Sequence, residues 1–231
     1  MKKTFSKKTR VLRNILLLIL LILAVDYFSG LPAPIPEIQF RREERAHLVG
    51  PGQILGIEEI DFSWYDTMIV ARTEQGVILW TSGQDLDRSA LVYREQKKEN
   101  LLLAAPGSMS YLTIADTVEL PLVLFDRCPR AARAEILFTL KDTVNGEPFE
   151  KTYHLSSERT ASGYFLFTLN AGKGQPYSLE EEALILRAFA EIASGQNTRH
   201  DYSVPVQIRF YDLNNTSIGE ETILISGDPQ N

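Results

Sequence analysis

The sequence predicts a mainly β protein behind an N-terminal transmembrane helix: a small antiparallel β meander followed by a β-sandwich. Three observations carry this. A basic tail is followed by an unbroken apolar run at Ile15–Val25. Short β-rich apolar runs separated by turn residues fill most of the chain beyond residue 48. The single cysteine leaves a hydrophobic core, with no internal disulfide, to stabilise about 200 remaining residues.

Residues 1–31 read as a cytoplasmic tail and anchor. Lys2, Lys3, Lys7, Lys8, Arg10 and Arg13 precede the apolar run with no acid among them, which places the N-terminus inside by the positive-inside bias. The run itself is shorter than the ~20 residues that span a bilayer and is close to a signal-peptide h-region. Small residues suited to cleavage are poorly placed after Leu23. Val11, Leu12, Tyr27, Phe28 and Leu31 extend the apolar zone, so retention is favoured over cleavage. Pro32, Pro34 and Pro36, then "FRREERAH", make residues 32–47 a proline-rich and charged stalk, with a short helix over Arg41–His47 as the alternative.

Residues 48–107 read as the meander. Ile54–Tyr65, Met68–Ala71, Val77–Trp80, Ala90–Tyr93 and Leu101–Ala104 are its strands, and a turn closing at Gly76 joins the first tight pair. Residues 108–231 follow with strands at Val118–Phe125, Ala134–Leu140, Phe149–Leu155, Tyr164–Leu169, Val204–Tyr211 and Thr222–Ile225. Turn sequences such as "NGEP" and "DLNNTS" separate them. The segment Ser178–Ser194 has two readings. Ser178 and Glu181 form a capping-box pattern ahead of a helix that would bury Leu186, Phe189, Ala190 and Ala193. The surrounding β context instead favours a strand.

"SLEEEALILRAFAEIASGQNTRHDYSVPVQIRFYD" resembles the last hairpin of bacterial Ig-like domains, and "LPLVLFDRCPRAARAEILFTL" resembles the first two strands of such a domain. The resemblance spans roughly residues 110–226 and implies a sandwich and an envelope setting. It implies no activity.

Charge narrows the partners. Six of the 24 Lys+Arg and one of the 30 Asp+Glu lie in the first 31 residues, which leaves 18 against 29 and a net of −11 beyond them. A nucleic-acid partner would need a basic face, so none is expected. No cofactor motif is present. His47, His154 and His200 are dispersed and read as surface residues. Asp85 and Asp87 are spaced like calcium-loop ligands, but the loop glycine and distal glutamate are missing, so they remain weak metal candidates. Trp64, Tyr65 and Trp80 form a weak candidate contact patch for a glycan or protein, with core packing as the alternative. Cys128, ahead of Pro129, reads as a half-buried residue at a strand end.

The resulting expectation is a non-enzymatic, membrane-anchored, extracytoplasmic binding or scaffolding protein of a bacterial cell envelope. It is held to the cell membrane by the N-terminal helix and partnered by another envelope protein. The alternatives are a sensor-type ectodomain for a small ligand or glycan, and an exported hydrolase.

Overall fold

The structure is a computed structural model and describes residues 7–29, 35–46, 50–62, 65–73, 76–81, 101–104, 118–126, 128–171, 178–193 and 203–226. The protein is mainly β, with three antiparallel sheets and a helix at its N-terminal end.

The second half of the chain builds two facing sheets. β5 (Val118–Asp126), β6 (Arg133–Val144), β7 (Glu147–Glu158), β8 (Phe165–Ala171), β9 (Ser203–Tyr211) and β10 (Ser217–Ser226) match the six runs expected from the sequence. One sheet has the order β10-β9-β6-β7, and the other joins β5 and β8 to β4 (Leu101–Ala104). The β6–β7 hairpin turns at Asn145-Gly146, both with positive φ, as the twist of a two-residue hairpin requires. Leu120, Leu122 and Leu124 of one sheet meet Ile136, Phe138, Val206 and Ile208 of the other in a common core.

The segment with two readings is a helix, α3 (Leu179–Ala193), so the strand favoured by context is not formed. The hairpin of the Ig-like resemblance is replaced by a helix leading into β9. Local chemistry decides this. The Ser178 hydroxyl accepts from the Glu181 amide at 3.2 Å, and the Ser178 amide donates to the Glu181 carboxylate at 2.8 Å. Hydrogen bonds from Ser178 to that carboxylate, the one from its backbone amide foremost, hold the Glu181 carboxyl below its ordinary range. As a strand, the segment would put Arg187 and Glu191 on the same side as Ile185 and Phe189. As a helix it puts Arg187 and Glu191 one turn apart, paired at 2.9 Å, and buries the opposite face. α3 packs between the sheets, against β5 and β8 on one side and β6 and β10 on the other. Phe189 stacks on Phe138 with centroids 4.6 Å apart. Ser178→Ala is expected to lower unfolding free energy by about 1 kcal/mol, read from a urea titration followed by circular dichroism.

A third sheet covers the outer face of the β4-β5-β8 sheet. Its strands, β1 (Gln53–Phe62), β2 (Tyr65–Thr73) and β3 (Gly76–Thr81), pair in chain order. Met68, Val70, Val77 and Leu79 pack against Val123, Phe125 and Tyr164. Ile69, Ala71, Ile78 and Trp80 point the other way, towards Phe40. β2, β3 and β5 are therefore buried on both faces, which is why "MIVA", "VILW" and "LPLVLF" are continuous apolar runs without alternation. β4, expected at the end of the meander, is hydrogen-bonded to β5. Gly56 lets Tyr164 reach β1, since a Cβ there would lie 3.0 Å from the tyrosine Cζ. The Tyr164 hydroxyl donates to Glu58, and burial, then that carboxylate, keeps it protonated well above the ordinary phenol range.

The stretch expected as a charged stalk forms α2 (Pro36–Ala46), longer than the short helix weighed as its alternative. Ile35 caps it through its carbonyl, and Pro36 occupies the first helical position, where a missing N–H is harmless. One face is buried on the third sheet: Phe40 is fully enclosed and lies 6.1 Å from the Trp80 ring. Glu44 is also buried, accepting from the Gly52 amide at 2.7 Å and from Arg41 at 2.6 Å.

One end of the two facing sheets is fastened by Arg159. Its guanidinium donates to both Asp126 oxygens at 2.9 and 2.8 Å and to the carbonyls of Cys128, Ala131 and Gly163 at 2.7, 2.6 and 2.6 Å. It also lies 4.6 Å over the Phe165 ring. One side chain thus ties together two of the connections that cross between the sheets, residues 128–132 and 159–164.

α1 (Lys7–Ser29) differs from everything else. Every side chain described from Lys8 to Val25 is exposed, and its large apolar residues are 49% to 69% exposed. Among the described residues, no helix is long and apolar enough to cross a membrane.

Candidate functional site

Of the binding residues suggested by the sequence, only Tyr65 and Trp80 lie among the described residues. Asp85, Asp87 and Trp64 lie outside the described residues. Tyr65 opens β2 opposite Phe62. Trp80 is 2% exposed and belongs to the core beneath α2, so its ring is not part of a surface patch. Its indole N–H has no hydrogen-bond partner among the described residues. Cys128 is half-buried two residues past β5, its amide donating to Asp126. Among the described residues no group of three or more His, Cys, Asp or Glu side chains converges.

The outer face of the four-stranded sheet offers more. Strand alternation sends Ile136, Phe138, Val206 and Ile208 inward and Glu135, Leu137, Gln207 and Arg209 outward. Register then sets Leu137 between His154 and Gln207, and Glu135 between Ser156 and Arg209. Glu135, Leu137, His154, Gln207 and Arg209 line a shallow open depression of about 190 Å³ with Leu137 at its apolar centre.

Glu135 organises the polar side of the depression. Its carboxylate accepts from Arg133 at 2.5 Å and from the Tyr211 hydroxyl at 2.9 Å, and His154 Nε2 lies 3.5 Å away. Arg133 stacks over the Tyr211 ring at 4.2 Å and donates to Asn215 at 2.6 Å. Partial burial pushes the Glu135 carboxyl up, but the bonds from Tyr211, Arg133 and His154 outweigh it and hold the carboxyl below its ordinary value. The Tyr211 hydroxyl is raised, chiefly by its bond to the same carboxylate. Arg209 pairs with Glu220 on β10 at 3.2 Å.

A carboxyl lowered on folding contributes stability that is present above its unfolded value and lost as pH falls through the folded one. The stability gap between the natural protein and Glu135→Gln is therefore expected to be full at pH 7. It should shrink as pH falls below the ordinary value of 4.5. Urea titrations at stepped pH read this directly, and a gap independent of pH would contradict the bonding pattern.

The face presents donors and acceptors of both charges around a small apolar centre, with no nucleophile–base pair among its members. A volume of about 190 Å³ falls below the roughly 300–1,000 Å³ of pockets that enclose organic ligands. The arrangement suits a side chain from a partner surface better than an enclosed small molecule. Sequence reading missed this face. Gln207 and Arg209 stand out as the polar alternates of "VPVQIRFYD", but the register that joins them to Glu135 and His154 is a long-range property.

No protein-family model matches the chain, and no curated protein matches its sequence.

Proposed function

We propose that the chain is a membrane-anchored, extracytoplasmic, non-enzymatic binding or scaffolding protein of the bacterial cell envelope. The observation that carries this reading is α1: Leu and Ile are exposed on every face from Ile15 to Val25, an arrangement that water disfavours and lipid satisfies. The helix is 23 residues long, about 34 Å at 1.5 Å per residue. Its unbroken apolar run alone gives only about 16 Å, against a hydrocarbon core of about 30 Å. Spanning therefore needs Val11 and Leu12 at one end, with Arg13 snorkelling, and Tyr27 and Phe28 at the other. The six leading cations put the β-rich body outside. There the sandwich, Ig-like in its two facing sheets but with α3 in place of a strand, presents the Glu135 face to a protein partner.

A photo-cross-linking residue at Gln207 or Thr152, on this outer face, is expected to capture a discrete envelope protein in intact cells. Arg209→Glu should weaken the capture. Cross-links of the same pattern from Leu184 on α3, remote from the face, would count against a dedicated binding surface. The depression also supports a second reading, binding of a small ligand or glycan at the same place. Saturable binding of such a ligand by the full chain, without any captured protein, would favour that reading.

A further inference from the structure

We propose that the outward face of α2 rests on the anionic headgroup layer of the membrane that α1 enters, so that α2 sets the orientation of the β body at the bilayer surface. The proposal rests on the anchor reading and adds a second contact to it.

The charge and apolar pattern of α2 is the reverse of that of a free surface helix. Its buried side holds Gln39, Phe40 and Glu44. Its opposite side shows Ile38 at 45% exposure, with Ile35 just ahead of the helix at 48%, both among the large apolar side chains exposed outside α1 in the described residues. Arg42 and Arg45 continue the same face at positions four and seven beyond Ile38. The three acids of α2 are elsewhere. Glu44 is held by the Gly52 amide, Glu43 accepts from the buried Gln39, and Glu37 lies in line with Glu44. Isoleucines beside arginines, with none of the three acids of α2 itself on that face, are what an interfacial helix presents to acyl chains and anionic headgroups.

Chain length adds a second argument. α1 ends at Ser29 and α2 begins at Pro36, so the connection reaches at most about 25 Å even when fully extended. α2 cannot leave the neighbourhood of the membrane that holds α1. The net charge of −11 beyond residue 31 repels the body as a whole from anionic lipid. The arginine-bearing face of α2 opposes that repulsion, and so favours the approach of that side.

The test uses the full chain in lipid nanodiscs, with Cys128→Ser and one environment-sensitive dye at Leu20→Cys, Ile38→Cys or Arg187→Cys. The Leu20 dye is expected to report hydrocarbon, and the Arg187 dye, on α3, to report water. The Ile38 dye should report an apolar interface in discs containing phosphatidylglycerol and should weaken in phosphatidylcholine alone or at high salt. Arg42→Glu and Arg45→Glu should each reduce that contact roughly fivefold, with circular dichroism unchanged. An Ile38 dye in water beside a Leu20 dye in lipid overturns this proposal and leaves the anchor standing. Both dyes in water remove the anchor reading and this proposal with it. An Ile38 signal indifferent to anionic lipid, or one that grows with the number of chains per disc, assigns the face to other contacts and also overturns the proposal.

Discussion

Arg159→Ala is expected to lower the unfolding free energy by about 3–5 kcal/mol, the usual effect of removing one member of a buried ion pair. Asp126 is 3% exposed in its side chain and Arg159 19%, so the substitution strands a carboxylate where water cannot replace its partner. It also leaves the carbonyls of Cys128, Ala131 and Gly163 without the guanidinium. Lysine should not restore the loss, because a single ammonium cannot span three carbonyls and both carboxylate oxygens in the plane of a guanidinium. Asp126→Ala combined with Arg159→Ala should be less damaging than the two effects added, since neither charge is then left alone. Urea unfolding of the natural protein, the two single alanine variants, the double variant and Arg159→Lys measures these effects. A loss below 1 kcal/mol for Arg159→Ala would mean that the crossings between the sheets are held by other contacts.

The second large effect belongs to α3. Phe189→Ala is expected to cost about 3–5 kcal/mol through lost burial and the cavity left behind, because its ring is fully buried and stacked on Phe138. Leu184→Ala, at 61% exposure, should change stability by no more than about 0.5 kcal/mol. The pair also separates helix from strand. A strand would align Leu184 with Leu186 and Ala190 on one face, and would give Leu184 and Leu186 similar weight. The helix makes Leu186→Ala costly and Leu184→Ala nearly silent.

These side chains show where the sequence was readable. The six strands from Val118 to Ile225 carried their own signals: apolar alternation in "VPVQIRFYD" and turn residues at Asn145-Gly146. The capping box at Ser178 was equally local. It pointed to the helix correctly, whereas the strand preference came from the neighbourhood rather than from the segment. α2 was misleading because "FRREERA" looks solvated. Its buried face consists of one aromatic, Gln39 and a satisfied Glu44, a pattern that hydrophobic counting passes over. Trp80 reads from the sequence as core more readily than as a contact residue, and the Phe40 ring above it makes it core. The Glu135 face was invisible for a different reason. Its members come from three strands whose partners lie 17 to 74 residues away, and only register unites them. Asp85 and Asp87 fall outside the described residues.

The central claim is that α1 holds the chain in a membrane with the β body on the outer side. Cysteine accessibility tests it most directly, in cells carrying Cys128→Ser with a single cysteine at Leu213, which is 91% exposed on the β9–β10 turn, or at Thr9 near the start of α1. With a membrane-impermeant maleimide, the cysteine at position 213 should label in intact spheroplasts and the cysteine at position 9 only after lysis, with both proteins remaining in the membrane pellet at alkaline pH. Labelling at position 213 only after lysis, or release of the full-length chain into the soluble fraction, would contradict the account.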